Sequence, residues 1–234
     1  MLKLVLVAVL LAVVAVLVVR RRARPFKRAG VLVGLTDAAA AGIREDLVAR
    51  ASGHGWEVAG DGACEGRVRD PELQARGSRV VSCDTVVTGD VPRAFTATSW
   101  RGRVRHVAGF STAWRVHDLT VPLAAGAGAP RFCAAPLSAT RRPRLLLPEQ
   151  FWGTGHVGEG LIAWGVDLDP PTMGWIAGLA GPLAAAGCWV ACLGDRVVLV
   201  GEGEPTPEVL QRRISLGASV ADALERPLAA GGAQ

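Results

Sequence analysis

The chain has 234 residues, of which 50% are apolar and 20% charged, and this suits one membrane segment plus one folded domain of roughly 200 residues or fewer. Its net charge of +5 and pI near 9.4 invite a nucleic-acid-binding interpretation, but seven of the 26 basic residues lie within residues 1–28. The other 19 face all 21 acidic residues, so residues 29–234 carry a net charge of −2. We therefore expect no nucleic-acid partner.

The N-terminus is a continuous apolar stretch that runs into three adjacent arginines. A helix from Leu4 to Val19 would span about 24 Å, and the preceding residues, with Lys3 reaching outward, bring it within range of a bilayer core of about 30 Å. No small-residue cleavage site precedes the arginines, as a cleaved export signal requires. We predict an uncleaved transmembrane signal anchor over residues 1–19. A cleaved signal and a buried core helix are the alternatives.

The charges that flank this segment predict its orientation. Six basic residues follow the segment and only Lys3 precedes it; the six are Arg20, Arg21, Arg22, Arg24, Lys27 and Arg28. Because the flank richer in Lys and Arg stays in the cytoplasm, we expect a single-pass cell-membrane protein with a cytoplasmic C-terminal domain and five reduced cysteines. Residues 20–35 form a basic juxtamembrane linker that lies against anionic lipid headgroups of the bilayer, at about 1 kcal/mol per charge.

The remaining sequence predicts a domain over residues 36–228 and a flexible tail over 229–234. A helix begins at Thr36 or Asp37 and ends at Gly53 or Gly55, with Ile43, Leu47 and Ala51 on its apolar stripe. The strand patterns cover 56–60, 79–90, two segments of 93–114 joined near Arg101-Gly102, 115–125, 144–148, 161–168 and a hairpin over 187–203 that turns at Gly194-Asp195.

The C-terminal third contains one charge-free stretch and one well-marked helix. Pro170 to Gly194 has no charged residue, and a second membrane span near 172–194 is one interpretation. Pro182 and five glycines favour a buried helix followed by the first hairpin strand. A final helix is capped by Thr206 with Pro207 in its first turn, and its apolar stripe consists of Leu210, Ile214, Ala218, Ala221 and Leu224.

These elements predict an α+β fold: an N-terminal transmembrane helix, then a domain with a mainly antiparallel sheet and two to three helices. Their order resembles a family of actinobacterial single-pass membrane proteins of no established activity. The resemblance rests on "ASGHGWEVAG", "FTATSWRGRVRHVAGF" and "GCWVACLGDRVVLVGEGEPTPEVLQRR". It covers most of the chain, and it implies an architecture but no catalytic residues.

Several residue patterns contain the side chains that catalytic or metal sites use. Asp167 and Asp169 follow an apolar run, and carboxylates so placed can share a divalent cation, although Asp169 also suits a helix cap. Cys188 and Cys192 are four residues apart, which on a strand makes them small buried residues rather than metal ligands. The histidines at 54, 106, 117 and 156 have no ligand spacing. Core packing accounts for the seven tryptophans.

Two strand segments carry polar patterns. Ser82-Cys83-Asp84 lacks the context of a nucleophile site, because adjacent strand residues face opposite sides. Arg101, Arg103 and Arg105 alternate beside Trp100 and predict either a contact strip for an anionic partner or solvated strand arginines.

We therefore expect a membrane-anchored binding or scaffold domain that faces the cytoplasm and has an unidentified protein partner, with no cofactor, catalytic residue or metal site assigned. Two alternatives stay open. One is a membrane-associated metal-dependent enzyme that uses Asp167 and Asp169, and the other is a two-span membrane protein.

Overall fold

The computed structural model describes residues 37–59, 61–74, 78–105, 111–136, 156–158, 160–165 and 170–226. These residues form an α+β domain built on an antiparallel sheet, which confirms the predicted class of the domain. No helix among them has both the length and the apolar character needed to cross a membrane. The predicted anchor over 1–19, the linker over 20–35 and the tail over 229–234 lie outside these residues.

The helices and strands alternate in blocks along the chain. The helices are α1 (Asp37–Ala51), α2 (Pro170–Ala177), α3 (Ala180–Ala186) and α4 (Pro207–Glu225). The strands are β1 (Glu57–Ala59), β2 (Ser78–Gly89), β3 (Phe95–Arg105), β4 (Ser111–Pro122), β5 (Phe132–Pro136), β6 (His156–Gly158), β7 (Leu161–Gly165), β8 (Cys188–Cys192) and β9 (Arg196–Glu202). They form one nine-stranded sheet in the order β1-β2-β3-β4-β9-β8-β5-β7-β6.

The C-terminal helix follows its sequence signals. Thr206 accepts a hydrogen bond from the backbone N–H of Val209 at 3.4 Å, and Pro207 occupies the first turn. Gly217 lies in the middle of the helix, where an added Cβ would be 3.0 Å from the Val121 side chain on β4. Because Gly217 has no side chain, α4 can lie close to the sheet. This close packing explains why a glycine, which by itself disfavours a helix, lies in the middle of α4.

The charge-free stretch from Pro170 to Gly194 forms two short helices and a strand. Helix α2 has eight residues and α3 has seven, and they are separated at Gly178 and Leu179. Strand β8 follows directly and pairs with both β5 and β9 inside the sheet. The predicted helix-then-strand order is confirmed, with two helices in place of one, and this arrangement leaves no continuous helix for the two-span alternative.

The sheet has two different faces. The helix face carries Phe132, Leu199 and their neighbours, which pack with apolar residues of all four helices. The tryptophan face, as we name the other, carries four tryptophans on four strands: Trp100, Trp114, Trp164 and Trp189. The expectation that tryptophans are core residues is met on both faces, since Trp56 belongs to the core of the helix face.

The turn predicted near Arg101-Gly102 is wrong. Strand β3 runs without interruption through both residues and pairs with β4 as far as Arg105. Gly102 is instead the place where the Trp114 ring crosses β3, because an added Cβ would lie 2.1 Å from that ring. The glycine indicates close packing here, which sequence alone does not distinguish from a turn.

One central strand was not predicted. Phe132–Pro136 falls in a segment interpreted as loop, yet it is buried along its whole length between β7 and β8. The segment is a short apolar run beside several glycines and prolines, and its strand structure comes from its two neighbours in the sheet. The strand predicted over 144–148 lies outside the described residues.

The strands differ greatly in length. β2, β3 and β4 have 11 or 12 residues, whereas β9 has seven and pairs only with Val116–Pro122 of β4. At the other side, β1 pairs only with residues 86–88 of β2. The first half of β2, the second half of β3 and the first half of β4 therefore form a three-stranded extension beyond the nine-stranded part.

Gly102→Ala tests the packing role of Gly102. We expect a loss of about 1–3 kcal/mol in the free energy of unfolding, because the new methyl group overpacks the Trp114 ring. Gly174→Ala in α2 is the matched control, since an added Cβ there has no neighbour within 4 Å and alanine favours the helix. Urea unfolding followed by circular dichroism measures both. Equal stability of the two variants would contradict the assignment.

Candidate functional site

The helix face of the three-stranded extension carries an array of arginines, which we call the arginine strip: Arg79, Arg101, Arg103 and Arg115. The strand register places Arg79 of β2 directly opposite Arg103 of β3. It likewise places Arg101 of β3 opposite Arg115 of β4. Like charges at directly opposite positions destabilise a sheet. The strip therefore concentrates positive charge and lowers the free energy of unfolding of the domain.

The inner half of the strip is organised around one carboxylate. Irregular pairing of β2 at Asp84 brings its side chain to Arg115, whose Nη1 donates a hydrogen bond at 2.5 Å. Ser82 donates to the same carboxylate at 2.8 Å, and Arg101 donates to the Ser82 hydroxyl at 3.2 Å. Since the Asp84 and Arg115 side chains are only 7% and 8% exposed, this pair fixes the base of the strip.

A second acidic group lies behind the inner half. Glu204 follows β9, is buried, and accepts a hydrogen bond from Ser99 of β3 at 2.8 Å. Burial raises the pKa of this carboxyl, although the hydrogen bond from Ser99 and the charge of Arg44 on α1 act in the opposite direction. The charge of Arg44 therefore acts at the inner end of the strip.

The outer half of the strip is open to solvent. Arg79 and Arg103 are both exposed, and no carboxylate in the described part of the chain pairs with either. The planar guanidinium groups are suited to bidentate contact with carboxylate or phosphate oxygens. Arg79 and Arg103 form an exposed cross-strand pair beside the buried pair of Asp84 and Arg115, and this exposed pair can hold a carboxylate or a phosphate group.

The predicted relation between these arginines and Trp100 needs correction. Trp100 lies on the tryptophan face, where it is buried with Trp114, and so it does not adjoin the strip. Arg101 and Arg103 share one face as their alternation predicts, and Arg105 follows in the same register opposite Ser111. The side chain of Arg105 lies outside the described residues. Arg79 and Arg115 join the strip only through strand pairing.

A different arginine is enclosed in the core of the helix face. Arg213 of α4 is 3% exposed, and its guanidinium donates to the backbone oxygens of Ala186 and Gly187 at 3.1 and 3.0 Å. These carbonyls lie at the end of α3, where the helix dipole is negative. The guanidinium also lies against Gly201, where an added Cβ would be 2.1 Å away. Arg213 therefore ties α4 to α3 across β9.

His117 lies beside this arginine. Its Nδ1 is 3.4 Å from Nη1 of Arg213, and since an arginine only donates, the imidazole nitrogen accepts. Burial lowers the pKa of His117 well below its usual range, and the charge of Arg213 acts in the same direction. His117 is thus a neutral core residue next to the site rather than a metal ligand.

The tryptophan face is crossed by residues 61–74, which we call the strap. Arg69 is 1% exposed and forms a bidentate pair with Asp118 of β4 at 2.6 and 2.9 Å. Its guanidinium carbon lies 5.7 Å from the Trp114 ring centroid. Asp70 pairs with Arg196, and Glu72 pairs with Arg131. Three ion pairs therefore hold one half of the strap against the sheet.

The other half of the strap is attached by a disulfide. Cys64 is bonded to Cys83 of β2, 19 residues along the chain. This pairing differs from the expectation that all five cysteines are reduced thiols. It also removes Cys83 from any nucleophile role within Ser82-Cys83-Asp84, and Ser82 and Asp84 serve the base of the strip instead.

The other cysteines behave as predicted for small buried residues. Cys188 and Cys192 lie on β8 and point to the helix face, and Cys133 lies on β5 and faces the tryptophans. Burial raises the pKa of the Cys188 thiol to about 11 and also raises those of Cys133 and Cys192. All three are therefore protonated and unreactive at neutral pH.

Other candidates contribute little to a site. Asp167 and Asp169 lie outside the described residues, so the metal-dependent enzyme stays a prediction from sequence. His54 stacks on Trp56 with ring centroids 4.4 Å apart, and His106 and the side chain of His156 lie outside the described part. Within that part, no group of three or more His, Cys, Asp or Glu side chains is placed to hold a metal ion.

Comparison of the chain with models of protein families finds no match, and neither does comparison with curated proteins or with solved structures. The resemblance to actinobacterial single-pass membrane proteins therefore stays a prediction.

His117→Asn tests the neutral state of the buried histidine. As pH falls below about 6.5, the unfolded chain binds a proton at this residue and the folded protein does not, so the parent loses up to about 1.4 kcal/mol of unfolding free energy per pH unit. Urea unfolding between pH 7 and 5 should show a shallower slope for the variant. Glu204, whose raised pKa acts with the opposite sign, is present in both proteins. Identical slopes would contradict the assignment, because they would show that His117 takes up a proton equally in the folded and unfolded states.

Proposed function

We propose that the chain is a membrane-anchored binding module. In this proposal residues 1–19 hold the domain at the bilayer, and the arginine strip contacts an anionic partner through carboxylate or phosphate oxygens. The observation that carries the proposal is the exposed pair of arginines, Arg79 and Arg103, at directly opposite positions of adjacent strands.

Protection of a sheet edge is the competing explanation for these arginines. Charged residues on edge strands prevent pairing with other chains, and among the described residues β2 is an edge strand of the extension because β1 pairs only with residues 86–88. This explanation accounts for Arg79 but not for Arg103, whose strand is paired with β2 on one side and β4 on the other. An anionic partner accounts for both.

The arrangement also separates binding from folding. Three buried arginines are used in internal contacts: Arg69 with Asp118 of β4, Arg115 with Asp84 of β2, and Arg213 with α3. The exposed arginines of the strip make the sheet less stable and leave their guanidinium groups accessible. Such a division is typical of a binding surface, since side chains retained against stability are commonly those that a function requires.

Arg103→Gln distinguishes the two explanations. We expect unfolding free energy to rise by about 0.2–1 kcal/mol, because the variant removes a like-charge cross-strand pair. Affinity for a fluorescent polyglutamate peptide and for an inorganic polyphosphate should fall by up to about fivefold, since an exposed ion pair contributes up to about 1 kcal/mol. The unfolding free energy and the two affinities are measured on the full chain in nanodiscs of phosphatidylcholine.

Arg212→Gln is the matched control for Arg103→Gln. Arg212 is an exposed residue of α4, and its replacement changes the net charge by the same amount without altering the strip. If neither probe binds, or if both variants weaken binding equally, the strip is not an anion-binding surface.

The side of the membrane is the remaining part of the proposal. The six basic residues after the predicted span favour the cytoplasm, whereas a disulfide favours an oxidising compartment. We propose the cytoplasmic side, where Cys64 and Cys83 are a dithiol with Cα atoms 5.3 Å apart.

Cysteine labelling with a membrane-impermeant maleimide tests this placement. Cys64 and Cys83 are half-buried and the other three cysteines are buried, so we expect two labelled residues, after cell lysis and without reductant. Mass spectrometry of the labelled peptides identifies them. Labelling in intact cells that requires a reductant would place the domain outside, with the disulfide formed.

A further inference from the structure

We propose that the partner of the arginine strip is the anionic surface of the bilayer that holds the chain, so that the domain lies with its three-stranded extension against the lipid headgroups. This inference rests on the proposed function and names the partner of the same site. The basic linker and the strip would then be two separate contacts with one membrane, at residues 20–35 and on β2, β3 and β4.

The chain enters the domain at the end of the molecule that carries the strip. Helix α1 begins at Asp37, and its other end leads into β1, which pairs with residues 86–88 of β2, away from the strip. The charge of Arg44, near the start of the helix, also acts on Glu204, which accepts a hydrogen bond from Ser99, two residues before Arg101. The start of the domain and the strip are therefore at the same end of the molecule.

The linker predicted from the sequence has sixteen residues. A random coil of that length has a root-mean-square span of roughly 22 Å, which would keep the end of the domain that carries the strip near the headgroups. Confinement at this range raises the effective concentration of lipid around the strip far above that of a soluble anion.

The strip has the shape of a membrane surface. Adjacent strands are about 4.8 Å apart and alternate residues along a strand about 6.6 Å apart, so the strip presents its charges as a flat array. The cavity of about 360 Å³ in the described part of the sheet lies at the other end of β2 and β3, where Glu57 and Asp90 line it. A flat basic array suits a flat anionic surface, whereas that acidic cavity does not.

The test measures the distance between the strip and the headgroups in the full chain. Ala113→Cys places a donor dye on an exposed residue directly opposite Arg103, and Val91→Cys places one on a residue that is 76% exposed at the other end of the sheet. The chain is reconstituted into nanodiscs with acceptor-labelled headgroups, made of phosphatidylcholine with or without phosphatidylglycerol. Both variants also carry Cys64→Ser and Cys83→Ser, and the other three native cysteines are buried.

We expect energy transfer from position 113 to rise when phosphatidylglycerol is present, while transfer from position 91 does not rise. Added salt should reverse the increase by screening the charges. The double variant Arg79→Gln/Arg103→Gln should lose the increase and Arg212→Gln should keep it. Transfer that is equal in both lipids, or an increase that survives in the double variant, would overturn the inference.

The polyglutamate and polyphosphate measurements separate this inference from the proposed function. If the probes bind in an arginine-dependent way but the strip does not approach phosphatidylglycerol, the strip is an anion-binding surface and the lipid is not its partner. Absence of both removes the two proposals together.

Discussion

The architecture depends on a mismatch in strand length. β2, β3 and β4 are 11 or 12 residues long, and the strand that continues the sheet, β9, is seven. Helices α2, α3 and α4 pack where the strands are all present, so their apolar residues are matched by Phe132, Leu199 and Leu119. Beyond the end of β9, strands β2, β3 and β4 continue without these helices packed against them. On the helix face of this extension the arginine strip takes the place of an apolar surface, which would stay exposed there.

Two buried arginines in the described part of the chain, Arg69 and Arg213, are held in different ways. Arg69 is neutralised by a carboxylate, Asp118, and so requires a second buried charge. Arg213 is held by backbone oxygens at the end of α3 and by neutral His117. Removal of one partner of a buried pair commonly costs about 3–5 kcal/mol. Both groups therefore specify which segment lies on which face, the strap on one and α4 on the other.

Sequence reasoning identified elements whose signals are local. Thr206 and Pro207 mark the start of α4, and Gly194-Asp195 marks the hairpin of β8 and β9, because capping and turn conformations depend on the adjacent residues. Gly102 was wrongly predicted to form a turn, because its close contact is with a tryptophan of the next strand and the residues adjacent to it in sequence do not indicate that contact. Phe132–Pro136 became a strand only through its two partners.

The candidate site likewise contains residues that local sequence predicts and residues that only strand pairing brings in. The alternation of Arg101 and Arg103 is visible in the sequence, and it predicted a shared face correctly. Arg79 and Arg115 lie 22 and 14 residues from Arg101 in the chain, and they join it through strand register, which depends on the whole sheet. Asp84 reaches the strip through a pairing irregularity that its sequence does not mark. The array is therefore a property of the fold more than of any motif.

The concentration of tryptophan on one face has an optical consequence. The chain contains no tyrosine, so ultraviolet emission excited near 280 nm comes almost wholly from indole rings. Trp100, Trp114 and Trp189 are at most 6% exposed, on the face that residues 61–74 cross. Departure of those residues from the sheet would hydrate these rings and redden the emission, while the backbone of the sheet stayed intact. The protein thus carries its own reporter of local opening, distinct from global unfolding.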